Sequence, residues 1–209
     1  MSKPDINLIS FTGVPNGNIW ITDSEAPARI LFWGSDRQPG VKRKYTLHMS
    51  DYTVGRHISD TVKLSGPEDF DLTIIGEVQG GKEDCIDINN NCKRVIVRAY
   101  DGLHSNGRYC ITLKGDSDEI HIESLITKHG AACDVALGEH SDQDMDRSES
   151  ITLNLQSKDG KPVTWWRFNA TTPTLIAPGP YKNTLKIPGF FRSAFAKLYA
   201  LLKQIGLPI

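Results

Sequence analysis

Within DEIHIESL, residues 118–125, His121 stands two positions from Glu119 on one side and from Glu123 on the other. On a strand, side chains at i and i+2 leave the same face, so an imidazole between two carboxylates can share a proton or clasp a ligand. A second set lies in GEHSDQDMDRS, residues 138–148, where Glu139, His140, Asp142, Asp144 and Asp146 offer oxygen ligands to a hard cation. That run lacks the glycine and terminal glutamate of an EF-hand, so no metal is assigned. A solvated acidic loop and a contact for a basic partner are the other readings, and the five residues are carried as binding candidates. A third set is Trp165 with Arg167. If Trp166 and Phe168 face inward, these two project outward together, as a platform for sugar rings or a protein partner. Cys85 and Cys110 fall at equivalent places in the chain, but no histidine marks either as a nucleophile. They read as small buried fillers.

What positions these residues is a repeat. FDLTIIGE, KRVIVRAY, DEIHIESL and ESITLNLQ begin at positions 70, 93, 118 and 149, hence at spacings of 23, 25 and 31. Their apolar pairs are Leu72/Ile74, Val95/Val97, Ile120/Ile122 and Ile151/Leu153. A second series follows, with Ile86/Ile88, Ile111/Leu113, Val135/Leu137 and Trp166/Phe168. Upstream, Leu47/Met49 and Val62/Leu64 extend both series, and glycines recur between them. Short alternating strands at this period predict a solenoid, because one coil cannot bury its apolar face and a stack can. An antiparallel sandwich would share the turn spacing. Charge favours the solenoid: Arg94 falls over Glu119, Arg98 over Glu123 and Lys93 over Asp118. Parallel neighbours lie about 4.8 Å apart, close enough for cross-strand ion pairs.

The domain reading is an irregular N-terminal cap over 1–43, coils over 44–176, and a C-terminal segment over 177–209 whose helix either caps the solenoid or docks to a partner. In that last segment Phe191, Phe195, Leu198, Leu202 and Ile205 share one helical face. The predicted fold is therefore all-β, a single-stranded parallel β-helix of about five to six coils closed by an amphipathic α-helix. Caps of this kind hide the open sheet ends.

Composition narrows the function. The 209 residues are 39% apolar and 23% charged with a net charge of −1, which argues against a nucleic-acid binder and its basic field. No apolar run approaches the roughly 18 residues of a membrane span. MSKPDINLISFTG has no signal-peptide pattern, and no Cys-x-x-Cys occurs among the four cysteines, so synthesis in a reducing cytoplasm is expected.

On the coil motifs FDLTIIGE, KRVIVRAY, DEIHIESL and ESITLNLQ, the chain resembles the right-handed parallel β-helix, pectate-lyase-like superfamily. Right-handedness is what the resemblance implies. The superfamily includes polysaccharide lyases, glycosidases and bacteriophage appendages. Its enzymes work on the outer sheet face, where an aspartate cluster is absent here and both glutamates have arginine neighbours. The expectation is thus a non-enzymatic structural or binding protein, a bacteriophage virion component such as a decoration, head or tail appendage. It would contact capsid or tail proteins or a surface glycan, be made in the host cytoplasm and need no cofactor. A homo-oligomer fits the resemblance, although no trimerisation signal stands in the sequence. The alternative is a polysaccharide lyase or glycoside hydrolase acting on an acidic polysaccharide, with Arg98, His121 and Glu123 as its catalytic set.

Overall fold

The structure is a computed structural model and describes residues 7–10, 16–21, 28–33, 42–49, 60–66, 69–89, 92, 94–115, 119–138, 150–167, 174–175 and 183–188. Each apolar-alternating segment, rich in Ile, Val and Thr, takes extended backbone, where β-branched side chains pack on a pleated surface. The strands are β1 (Asn7–Ser10), β2 (Gly17–Trp20), β3 (Ala28–Trp33), β4 (Lys42–His48), β5 (Val62–Ser65), β6 (Asp69–Ile75), β7 (Val78–Gln79) and β8 (Asp84–Asn89). They continue with β9 (Arg94–His104), β10 (Tyr109–Leu113), β11 (Glu119–Lys128), β12 (Val135–Leu137), β13 (Ser150–Ser157), β14 (Thr164–Arg167), β15 (Thr174–Leu175) and β16 (Asn183–Pro188).

Successive strands alternate between two walls. One sheet runs β1-β3-β5-β8-β10-β12-β14-β15 and the other β16-β13-β11-β9-β6-β4-β2. Every pairing is parallel except the last in each wall, where β15 and β16 run antiparallel to β14 and β13. This winding is a parallel β-solenoid. Through its middle, β5 with β6, β8 with β9 and β10 with β11 make about three turns. A short third wall appears where β7 meets the end of β9, at Val78↔Leu103, and where β11 continues it, at Ile126↔Leu103. The β9–β11 register shifts at that corner. Gly102 occupies it with a φ of 121°, and an added Cβ would collide with the Thr127 methyl. Only glycine takes this corner without strain.

The core is the space between the walls. Val62, Ile86, Ile111 and Val135 stack from one side, and Leu72, Val97, Ile122 and Leu153 from the other. All eight are fully buried. Burying each such side chain is worth about 1.5–3 kcal/mol, so stacking is the main source of stability. The walls differ on their outer faces. β9, β11 and β13 alternate buried with partly exposed positions, whereas β8, β10 and β12 are buried on both faces, except for Asn89 at the end of β8. The outward Asp87 is fully buried, with Lys63 Nζ at 2.6 Å and Lys114 Nζ at 3.3 Å on the adjacent coils. The accessible wall is therefore the one carrying DEIHIESL.

Alternation predicts these faces, and register needs some correction. Ile120 pairs Val95 and Ile151 as the repeat implies. Upstream, Leu72 pairs Val97, not Val95, and Leu47 pairs Ile74, not Leu72. Both are two-residue slips, which leave every side chain on its expected face. Strands also run through residues 1–43: β1 pairs β3, β2 pairs β4 and β3 pairs β5, all parallel. The helix expected over 190–205 lies outside the described residues. Just before it, β16 pairs β13 at Ile151↔Ile187 and Leu153↔Leu185, ending the parallel run with an antiparallel strand.

Candidate functional site

The outer face of β6, β9, β11 and β13 is a grid set by strand spacing. One row runs Asp69–Arg94–Glu119–Ser150, the next Asp71–Ile96–His121–Thr152, and the third Thr73–Arg98–Glu123–Asn154. Arg94 reaches Asp69 at 3.3 Å and Glu119 at 3.7 Å. Arg98 stands opposite Glu123 in register, as expected, but its guanidinium pairs with Asp71 on the preceding coil. Glu123 instead accepts a hydrogen bond of 3.4 Å from the Tyr100 hydroxyl. His121 and Glu119 line a shallow groove of about 230 Å³ with Arg94, Ser150 and Thr152. Arg98, His121 and Glu123 thus share one face, but the arginine is committed elsewhere. Glycoside hydrolysis asks for one carboxyl kept protonated in an apolar setting. Glu119 lies beside Arg94 and Glu123 beside the Tyr100 hydroxyl, so both have polar neighbours.

Beside this grid is an apolar row. Trp20 pairs His48 and His48 pairs Ile75, and Tyr100 follows on β9. The Trp20 and His48 rings stack at 4.8 Å, 7° from parallel, and Asn18 Oδ1 lies 3.1 Å from His48 Nε2. Trp20, Ile75 and Tyr100 are 64%, 42% and 54% exposed. Among the described residues they are the exposed large hydrophobics, and all three fall in this row.

The tryptophan pair is reversed from expectation. Trp165 pairs Val135 and packs partly buried against the core, while Trp166 pairs Ala136 and packs with Tyr109 and Cys133. Moving the register by one residue exchanges the faces, so Trp165 packs inward against the core, partly buried, rather than standing outward with Arg167 as a platform. Arg167 pairs Leu137 in backbone register. Glu139, His140, Asp142, Asp144 and Asp146 lie outside the described residues. All four cysteines are free and buried. Cys110 is held up by neighbouring Cys85 first and by burial second, and burial above all pushes Cys133 up to about 12. Raised thiols are poor nucleophiles.

One polar cluster escaped the sequence reading. His129 follows β11, Asp134 precedes β12, Ser157 ends β13, and Asp159 lies in the turn before β14. The winding brings them to one corner. Asp134 is fully buried, with both oxygens 2.9 Å from His129 Nδ1. It also accepts from the Gly130 N–H at 3.2 Å, the Thr164 N–H at 2.8 Å and the Thr164 hydroxyl at 3.1 Å. On the other side of the ring, Nε2 lies 3.0 Å from Ser157 Oγ and 3.2 Å from Asp159 Oδ1. Ser157 donates to Asp159 at 2.6 Å, and Lys161 Nζ also lies 2.6 Å from that carboxylate. Partial burial by itself would lower the His129 pKa, but Asp134, then Asp159, outweigh it and hold it above the usual histidine value. Lys161 first, then Ser157, keep Asp159 well below the usual carboxylate range. A signal was present in the repeat: Asp134 stands just before β12, in the column where the preceding coils carry Cys85 and Cys110. A carboxylate in a column of buried thiols requires a partner.

Fold and site together define an all-β parallel β-solenoid with one polar-and-aromatic outer wall and a second wall buried on both faces along β8, β10 and β12. Compared with known proteins, the chain matches no family model, no curated protein and no solved structure.

Proposed function

We propose that this chain is a structural and binding protein, a right-handed solenoid of five to six coils that serves as a bacteriophage virion component. The open wall would be its contact face for a capsid or tail protein. The observation that carries the binding role is the row Trp20–His48–Ile75–Tyr100, where the exposed large hydrophobics gather beside charges that already have partners. Aromatic side chains next to arginine are favoured anchors of protein interfaces. The particle setting rests on the resemblance of the coil motifs to the superfamily that includes phage appendages. The neutralised outer face weighs against polysaccharide cleavage there, since Arg98 and Asp71 answer each other and Glu123 accepts a hydrogen bond from the Tyr100 hydroxyl.

Co-expression with the capsid and tail proteins encoded beside it, followed by size-exclusion chromatography, tests this reading. A complex that forms with the wild type and is lost in Trp20→Ala/Tyr100→Ala supports it. Cleavage of an acidic polysaccharide that disappears in Glu123→Gln would replace it with the enzyme.

A further inference from the structure

We infer that Ser157, His129 and Asp134 form a nucleophilic acyl-transfer site on the solenoid corner, one that accepts simple carboxylic esters. This goes beyond the binding role and uses residues away from the Trp20–Tyr100 row. A serine activated by an imidazole, itself oriented by a buried carboxylate, is recognised by geometry and not by order in the chain. Here Oγ to Nε2 is 3.0 Å and Nδ1 to the Asp134 oxygens 2.9 Å. Asp134 is locked by three further donors from Gly130 and Thr164, so it fixes the Nδ1–H tautomer and leaves the neutral ring one lone pair, on Nε2. That lone pair faces Ser157, which is partly exposed and reachable from solvent.

The chemistry balances without a cofactor. Ser157 Oγ adds to the acyl carbon as its proton passes to Nε2. The carbon–oxygen bond to the leaving alcohol then breaks, and the imidazolium returns that proton to the alkoxide. Water adds to the acyl-serine, again giving a proton to Nε2. The Oγ–acyl bond breaks, the acid departs and Ser157 recovers its proton. Lys161, on the same turn, is paired with Asp159 at 2.6 Å and offsets the negative charge of that carboxylate beside the serine.

Asp159 restrains the site. It accepts the Ser157 proton at 2.6 Å and lies 3.2 Å from Nε2, so it competes with the imidazole for the hydroxyl and favours the imidazolium. Ester cleavage should therefore rise with pH through a value above the ordinary histidine value.

The test uses the full chain with p-nitrophenyl acetate from about pH 6 to about pH 9, and a fluorophosphonate probe located by peptide mass spectrometry. The expected result is probe on Ser157 and nitrophenol release that falls about 10²–10⁴-fold in Ser157→Ala. Asp159→Asn should raise the rate at neutral pH several-fold and move the inflection down, which a merely structural corner would not do. Circular dichroism confirms that each variant is folded. Release unchanged in folded Ser157→Ala, or no probe on Ser157 across the pH range, overturns the proposal.

Discussion

Replacing His129 by alanine removes one member of an ion pair whose other member is fully buried. For a pair wholly inside a protein, removing one partner costs about 3–5 kcal/mol. Here the imidazole is 22% exposed, and Asp134 keeps the Gly130 N–H and both Thr164 donors. A loss of about 2–3 kcal/mol is therefore expected near pH 6, equivalent to a Tm drop of about 4–12 °C for a chain of this size. The pH dependence has a definite sign. The folded-state pKa of His129 is raised above its unfolded value of about 6.5, so its contribution is fully present below about pH 6.5 and is lost as pH rises through the folded value. Urea unfolding of both proteins at about pH 6 and about pH 9 reads this directly. The gap between wild type and His129→Ala should narrow at the higher pH because the wild type weakens. A gap that is the same at both pH values, or below about 0.5 kcal/mol at pH 6, would refute the charged clamp across β11, β12 and β13.

Two further outcomes test the wall geometry. Ile122→Ala, in the buried column of β11, should cost about 2–5 kcal/mol, whereas His121→Ala one residue away should stay within about 0.5 kcal/mol; comparable losses in urea titrations would mean the faces are wrongly assigned. The four thiols should resist a disulfide exchange reagent at neutral pH in the native chain and react together on denaturation, since all are buried. Rapid labelling of any one in the folded state would contradict that burial.

Much of the wall architecture was legible along the chain. Apolar alternation marks the strands from Leu47 to Leu153, and the match of sign between Arg94 and Glu119 indicates parallel stacking before any coordinates. Alternation is local, because successive side chains leave opposite faces whatever the strand pairs with. That same property hides a two-residue slip, which is why Leu72 pairing Val97 and not Val95 could not be read from pattern. It also left Arg98 with the wrong acidic partner. Trp165 and Trp166 were beyond reach because both are aromatic, so the apolar pattern does not distinguish them.

Between Leu47 and Leu153 the sequence by itself determined the main strand positions, their inward and outward faces and the stacking period. Only the tertiary structure decided which wall is open, and which corner residues meet. His129 and Asp134 bracket the connection between β11 and β12 while Ser157 ends β13, and the lengths of the intervening corners set their encounter. Asp134 falls in the column of Cys85 and Cys110, but its partners His129 and Ser157 obey no repeat period. Their contacts follow from where each wall ends and where Gly102-like turns bend the chain. Tertiary packing alone therefore carries a buried carboxylate, an imidazole and a serine hydroxyl into hydrogen-bonding distance.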